Sequence, residues 1–225
     1  MLNSAYQSGQ ELGGNGGFMT GILIVGNGNT PSQSVFDHFV NSSGLILALD
    51  GAALTLAKHE IQPHVIIGDM DGLTSEQLDE FQSKGVQIVR NLDQETSDIS
   101  KGLTWSKQHH PGKHIDVIGI DGGRLDHQLA AFSALFECQS DARLHIDDWM
   151  VARVTNTPHK YQTTKGRNVS LIPFGKVTGV TLDGCKYSLE DERLTSGTRG
   201  IHNEALGEEI SASCQQGDLL LLLRI

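Results

Sequence analysis

The chain has 225 residues, 27 acidic against 17 basic side chains, a formal charge of -10, and 26 glycines. That length supplies one large domain or two small ones, with a core that needs no disulfide staples, and it excludes a disulfide miniprotein. The acidity argues against a broad phosphate-backbone-binding surface, so nucleic acid is excluded as the first partner to consider.

Residues 1–17 contain five glycines and no apolar period, and are expected to be a flexible tail. From residue 21 a grammar repeats in which a short apolar run ends in Gly, Asn or Asp and a helix-compatible stretch follows. The runs are Ile22 to Val25, Leu45 to Leu49, Val65 to Ile67, Val86 to Val89 and Ile115 to Ile120. Near-continuous apolar runs of this kind fit strands buried on both faces of a parallel sheet. Helices are predicted at 32–41, 51–60, 75–84, 97–109 and 126–138; Thr74 with Gln77 forms a capping box and Ser97 an N-cap.

Past about residue 140 the pattern changes. Short segments at 149–155, 168–172, 177–182, 210–214 and 219–224 are separated by Gly, Pro, Asp and Ser, which predicts an all-β domain. The expected fold class is therefore an α/β N-terminal domain with a mostly parallel, Rossmann-like sheet over 18–143, plus an all-β sandwich over 144–225.

Cys138, Cys185 and Cys214 are widely spaced and do not cluster with histidine, as expected of reduced thiols. No apolar run approaches the ~20 residues of a spanning helix and no leader is evident, so a cytoplasmic protein without a membrane partner is expected.

Ligands of an open parallel sheet collect at the carboxyl ends of its strands. Asp50 follows the second strand, Asp69 and Asp71 the third, Asp93 to Asp98 the fourth, and Asp121 to Asp126 the fifth. Any one of these would serve as a cap or turn former. Several converging without a cation would repel one another, and a hard divalent ion resolves that repulsion. Gly122-Gly123-Arg124 adds backbone N–H groups and a planar fork suited to phosphate. Acids and arginine together point to a Mg-nucleotide site, reached without a P-loop.

Four ordered blocks carry a family resemblance: Asp50-Gly51-Ala52-Ala53; Ile67-Gly68-Asp69-Met70-Asp71; Asp93-Gln94-Glu95-Thr96-Ser97-Asp98 with Lys101; and Gly122 through His127. Together with Gly179 to Leu189 and Asn203-Glu204, they resemble the thiamine pyrophosphokinase family over residues 20–225. The resemblance implies a homodimer with thiamine held between the α/β domain of one subunit and the β-domain of the other. It implies transfer of pyrophosphate from ATP to thiamine, giving AMP and thiamine diphosphate. It also implies Mg2+ on Asp69, Asp71 and Asp98, with Asp71, Asp98 and Arg124 at the reacting phosphates. Asp50, Gln94, Thr96, Ser97, Lys101, Gly123, Asp126 and Asn203 would contact nucleotide or substrate.

Gly72, Ser97, Gly200 and His202 depart from that family's usual residues, the last two in the segment expected to meet the pyrimidine ring. Three other readings stand beside this one. Asp69-Met70-Asp71-Gly72 superficially resembles a haloacid-dehalogenase phosphatase loop, but Leu73 falls where that loop has Thr or Val. A non-catalytic nucleotide-binding module on the same fold is the second. The third, a zinc site at His109, His110 and His114, lacks converging cysteines and reads better as a solvated turn.

Overall fold

The five apolar runs of the first half become five parallel strands with helices between them, and a sixth strand not expected from the sequence, Arg143–Ile146, joins the same sheet. In the computed structural model, which describes residues 21–225, they occupy one of two compact units, 21–147; the other spans 148–225. The tail expected at 1–17 lies outside the described residues.

Chain order in the first unit is β1 (Gly21–Val25), α1 (Gln33–Ser42), β2 (Ser43–Leu49), α2 (Ala52–Lys58), β3 (Val65–Gly68), α3 (Ser75–Ser83), β4 (Gln87–Arg90), α4 (Asp98–His109), β5 (Ile115–Ile118), α5 (Leu125–Glu137) and β6 (Arg143–Ile146). The sheet order is β4-β3-β2-β1-β5-β6, with every pairing parallel. The central strands are buried on both faces, Leu23, Ile24, Leu47, Ile66 and Val117 completely so. The edge strand β4 is only partly covered: Ile88 and Val89 are half-buried between the exposed Gln87 and Arg90. Thr74 and Gln77 exchange both bonds of the capping box, and Ser97 Oγ accepts from Ser100 N at 3.3 Å to start α4. Strand order reverses between β1 and β5, the switch point at which such sheets open a crevice.

The second unit comprises β7 (Trp149–Arg153), β8 (His159–Gln162), β9 (Asn168–Asp183), β10 (Leu189–Thr195), β11 (Asn203–Glu204), β12 (Glu209–Ser213) and β13 (Gln216–Arg224). The two segments expected at 168–172 and 177–182 are one strand of 16 residues. Its first half pairs with β13 and β11, and its second half with β10 and β12. Pro173 and Gly175, which suggest a break in the sequence, are passed without ending the strand; Gly175 takes a positive φ of 84°. With β7 on β13 and β8 on β12, this long strand contributes to both layers of an antiparallel β-sandwich. Leu219, Leu221 and Leu223 of the apolar terminal run alternate into a core with Val169, Leu171, Val180 and Leu182. β10, Leu-Glu-Asp-Glu-Arg-Leu-Thr, was not anticipated because its charges mask two inward leucines. Among the described residues no helix is long and apolar enough to cross a membrane.

Candidate active site

Asp50 leaves the end of β2 with φ 42°, a left-handed turn that an Asp tolerates better than most residues. Its carboxylate is 8% exposed. Oδ2 accepts from Gly72 N at 3.0 Å, whereas Oδ1 is buried without a partner. Met70, with φ 69° and a buried side chain, turns the chain after β3 and leaves Asp69 and Asp71 on either side of it. Asp69 Oδ1 accepts from Asp71 N at 3.2 Å and Oδ2 from Gln94 Nε2 at 3.3 Å. Carboxylate oxygens of Asp50, Asp69 and Asp71 all approach within 4.8 Å of one another.

Burial pushes the Asp50 carboxyl above the usual carboxylate range, and the neighbouring Asp71 and Asp98 charges add to the rise against the Gly72 bond. The Asp71 amide, and then Gln94, hold Asp69 below that range. A carboxylate with one buried oxygen that has no donor, grouped with two further carboxylates, fits a hard divalent cation; all three donors are oxygens.

Asp98 lies outside this trio. At the first turn of α4 it pairs with Lys101, whose Nζ is 3.1 Å away on a side chain only 4% exposed. A buried ammonium needs such a carboxylate, so the pair fixes both groups beside the acids. Thr96 Oγ1 donates to Asp93 Oδ2 at 2.7 Å, tightening the loop into α4. Thr96 and Lys101 line a cavity of about 270 Å³ with Asp93, Trp105 and Glu137. Ser97 serves α4 as its cap.

Arg124 and Asp126 open α5. The Arg124 fork rests on Asp126, Nε to Oδ1 at 3.1 Å with Nη2 on Oδ2, and both side chains are largely exposed. A phosphate would take over donors that Asp126 occupies. Gly123 has open space where a side chain would begin.

In the second unit Asn203 is buried, and both its oxygen and its nitrogen have partners. Its Oδ1 accepts from Tyr187 N at 3.0 Å and Glu204 N at 2.9 Å, and Nδ2 donates to Tyr187 O at 2.7 Å. It therefore latches the Tyr187 loop to β11. Tyr187, Leu171, Leu189, Glu192, Arg199 and Asn203 line a cavity of about 370 Å³. Gly200 has φ 108°, and a Cβ there would meet Leu171 O at 2.7 Å, so a hydroxyl residue does not fit this backbone. His202 follows with φ 60°.

Residues 36–146 match the profile described as "Thiamin pyrophosphokinase, catalytic domain", and 155–219 the one described as "Thiamin pyrophosphokinase, vitamin B1 binding domain". Together they span more than three quarters of the chain. The chain belongs to the thiamin pyrophosphokinase family. A thiamine pyrophosphokinase of Bacillus subtilis is 26% identical over 211 residues, 91% of this chain and 98% of the relative. The crystal structure of the Bacillus subtilis thiamine pyrophosphokinase has a TM-score of 0.74 at 25% identity, covering 90% of this chain and 98% of that one. A family structure from Enterococcus faecalis reaches 0.76 at 20% identity, with 92% and 99% covered, and supports the fold.

The family's catalytic profile covers every acid of the site from Asp50 to Asp126, and its vitamin B1 profile covers Asn203. The phosphatase resemblance at Asp69 to Gly72 finds no counterpart in these relatives. Among the described residues the histidines at 109–114 do not gather as metal ligands: His109 stacks on Trp105 at 4.4 Å and bonds its carbonyl oxygen. Missed in the sequence was Gly26-Asn27-Gly28-Asn29, directly after β1, which the structure sets beside Gly51 and Gly122. Its alternating glycines after a buried strand were the available signal.

Proposed function

We propose that this protein transfers pyrophosphate from Mg-ATP to the hydroxyl of thiamine, forming thiamine diphosphate and AMP. The observation that carries the reading is the convergence of Asp50, Asp69 and Asp71 at adjacent strand ends, with one buried oxygen left unpartnered. Mg2+ held there would offset charge on the phosphate chain and make its β-phosphorus a better electrophile. Asp69, Asp71 and Asp50 would hold it.

The residues themselves position and neutralise. Gly72 N–H and the Gln94 amide fix two carboxylates before any ligand arrives, so little reorganisation is required on binding. Asp98, paired with Lys101, would add negative charge beside the cation from the α4 side. Arg124 exchanges Asp126 for phosphate oxygens and shields the chain as the thiamine oxygen attacks in line and AMP departs. Thr96, Ser97 and Gly123 shape the loops around the nucleotide. The second-unit cavity, apolar below with Tyr187 at its wall, suits a flat heteroaromatic ring, and Asn203 acts by holding that wall.

A homodimer accords with Leu125 and Leu129, one helical turn apart on α5 and 68% and 56% exposed. Cytoplasmic residence accords with three free cysteines; burial pushes the Cys185 thiol up to about 11, keeping it inert. Incubation with Mg-ATP and thiamine, followed by chromatography, is expected to yield AMP and thiamine diphosphate in equal amounts. Inorganic phosphate without thiamine diphosphate would overturn the proposal, as would nucleotide binding without turnover. Sedimentation at monomer mass would remove the dimer.

A further inference from the structure

The crevice of an α/β sheet opens where strand order reverses, here between β1 and β5. The segment leaving β1 there is Gly26-Asn27-Gly28-Asn29, outside the region matched by the family's catalytic profile. It continues the β1–β5 pairing past both strand ends: Gly26 N donates to Ile118 O at 2.9 Å, Gly28 N to Gly119 O at 2.7 Å, and Asn29 N to Asp121 O at 2.7 Å. A Cβ on Gly28 would lie 2.3 Å from Asp121 O, so this close zippering depends on glycine.

The two carboxamides are thereby set on opposite sides of the crevice. Asn27 lies over Gly51, the residue after Asp50, with Nδ2 2.9 Å from where a Cβ would stand. Asn29 lies over Gly122, where a Cβ would be 1.6 Å from its Nδ2 and where φ is +62°. One amide therefore borders the acid cluster and the other the loop that carries Arg124. Both side chains are exposed, and among the described residues no hydrogen bond claims either. Gly51, which Asn27 covers, follows Asp50, whose Oδ1 is buried without a partner.

We infer that Gly26 to Asn29 is a neutral strap for the phosphate chain of the nucleotide, with Asn27 and Asn29 as specificity-determining donors at its two ends; this rests on the nucleotide reading above. Charge explains the residue type. A fourth acid beside Asp50, Asp69 and Asp71 would repel a polyanion, and a lysine there would compete with the cation for the carboxylates. A carboxamide donates to phosphate oxygen without doing either, and the glycines let it approach. The groups it joins, a cation site and an arginine fork, both address phosphate rather than base or ribose.

The test measures calorimetric affinity of the full chain, with Mg2+, for α,β-methylene-ATP and for inorganic tripolyphosphate. Asn27→Asp is expected to weaken both ligands by about tenfold or more, and Asn29→Ala by roughly tenfold to a hundredfold, as fits the loss of a hydrogen bond to a charged group. Thiamine affinity and melting temperature should remain native. Native affinities in both variants would overturn the inference, as would weakening confined to the nucleotide, which would place the strap on base or ribose. Should Asn27→Asp fold poorly, Asn27→Ala and Asn27→Ser carry the same comparison. Failure of the native protein to bind either ligand would overturn the strap together with the nucleotide reading, whereas the turnover assay with thiamine judges pyrophosphate transfer separately.

Discussion

Polar groups are handled in opposite ways in the two units. At the strand ends of 21–147, Asp50 keeps a buried oxygen without a donor and its neighbours are like-charged. In 148–225, the buried Asn203 makes three hydrogen bonds, and both its oxygen and its nitrogen have partners. Both are buried polar side chains, and both are site candidates from sequence. The difference is in their hydrogen-bond accounts: an unsatisfied group stores repulsion that a ligand relieves, while a satisfied one supports the fold.

The widest expected separation follows from substituting each. Asp50→Asn should lower pyrophosphate transfer by about 100-fold or more, in the range for loss of a preorganised electrostatic group, with a melting temperature unchanged or raised. Isothermal titration with Mg2+ should show the same loss. Asn203→Ala should do the reverse, costing about 2 to 4 kcal/mol of stability because the Tyr187 and Glu204 backbone groups lose their partner. Its kcat should stay near native while KM for thiamine rises. Loss of stability in the first variant with full activity, or loss of kcat without destabilisation in the second, would break the contrast. Denaturant unfolding and steady-state kinetics on the two proteins decide it.

A second contrast lies inside the first unit. Asp116 on β5 is as acidic as the site residues, yet it is satisfied: Oδ1 meets His145 Nε2 at 2.8 Å and Oδ2 meets His114 Nε2 at 3.1 Å. Burial alone would raise its pKa, but the two imidazoles outweigh burial and hold the carboxyl below the usual range. A depressed carboxyl stabilises the fold above its unfolded pKa of ~3.9, and that stability is lost as pH falls below this value. Asp116→Asn should therefore cost about 1 to 3 kcal/mol at neutral pH, the range for hydrogen bonds to a carboxylate, with the deficit shrinking below about pH 4. Turnover at saturating substrates should be native. A pH-independent deficit would show that packing, not charge, is what Asp116 supplies.

Much of this was legible beforehand because strand ends are marked by composition. Apolar runs closing on Asp or Gly located Asp50, Asp69, Asp71 and the Asp98 helix without coordinates. Which acids touch was not legible: the turn at Met70 and the Gly72 bond bring in Asp50, and Lys101 draws Asp98 aside. The bonds that tie Asn203 to the Tyr187 loop were not legible either, because sequence carries no record of hydrogen bonds. β9 read as two strands because Pro173 and Gly175 normally punctuate, yet a strand contributing to both layers of a sandwich can bend at such residues. The strap at Asn27 and Asn29 escaped a search keyed to charge, since its chemistry is neutral.

The smallest expected effect concerns Arg124, which differs from Lys101 in being an exposed cation with a replaceable partner. An exposed ion pair adds little to stability, so Asp126→Asn should leave the melting temperature unchanged. It should free the guanidinium fork for phosphate. If Asp126 serves only to park Arg124, KM for ATP should fall by about twofold to threefold, the modest gain expected from releasing a solvent-screened competitor. The gain should fade as salt is raised, since screening weakens the competitor first. If Asp126 contacts nucleotide itself, KM should rise instead, and the rise should persist in salt because a direct hydrogen bond is lost. Asp126→Asn measured at two ionic strengths therefore separates a parking acid from a binding one.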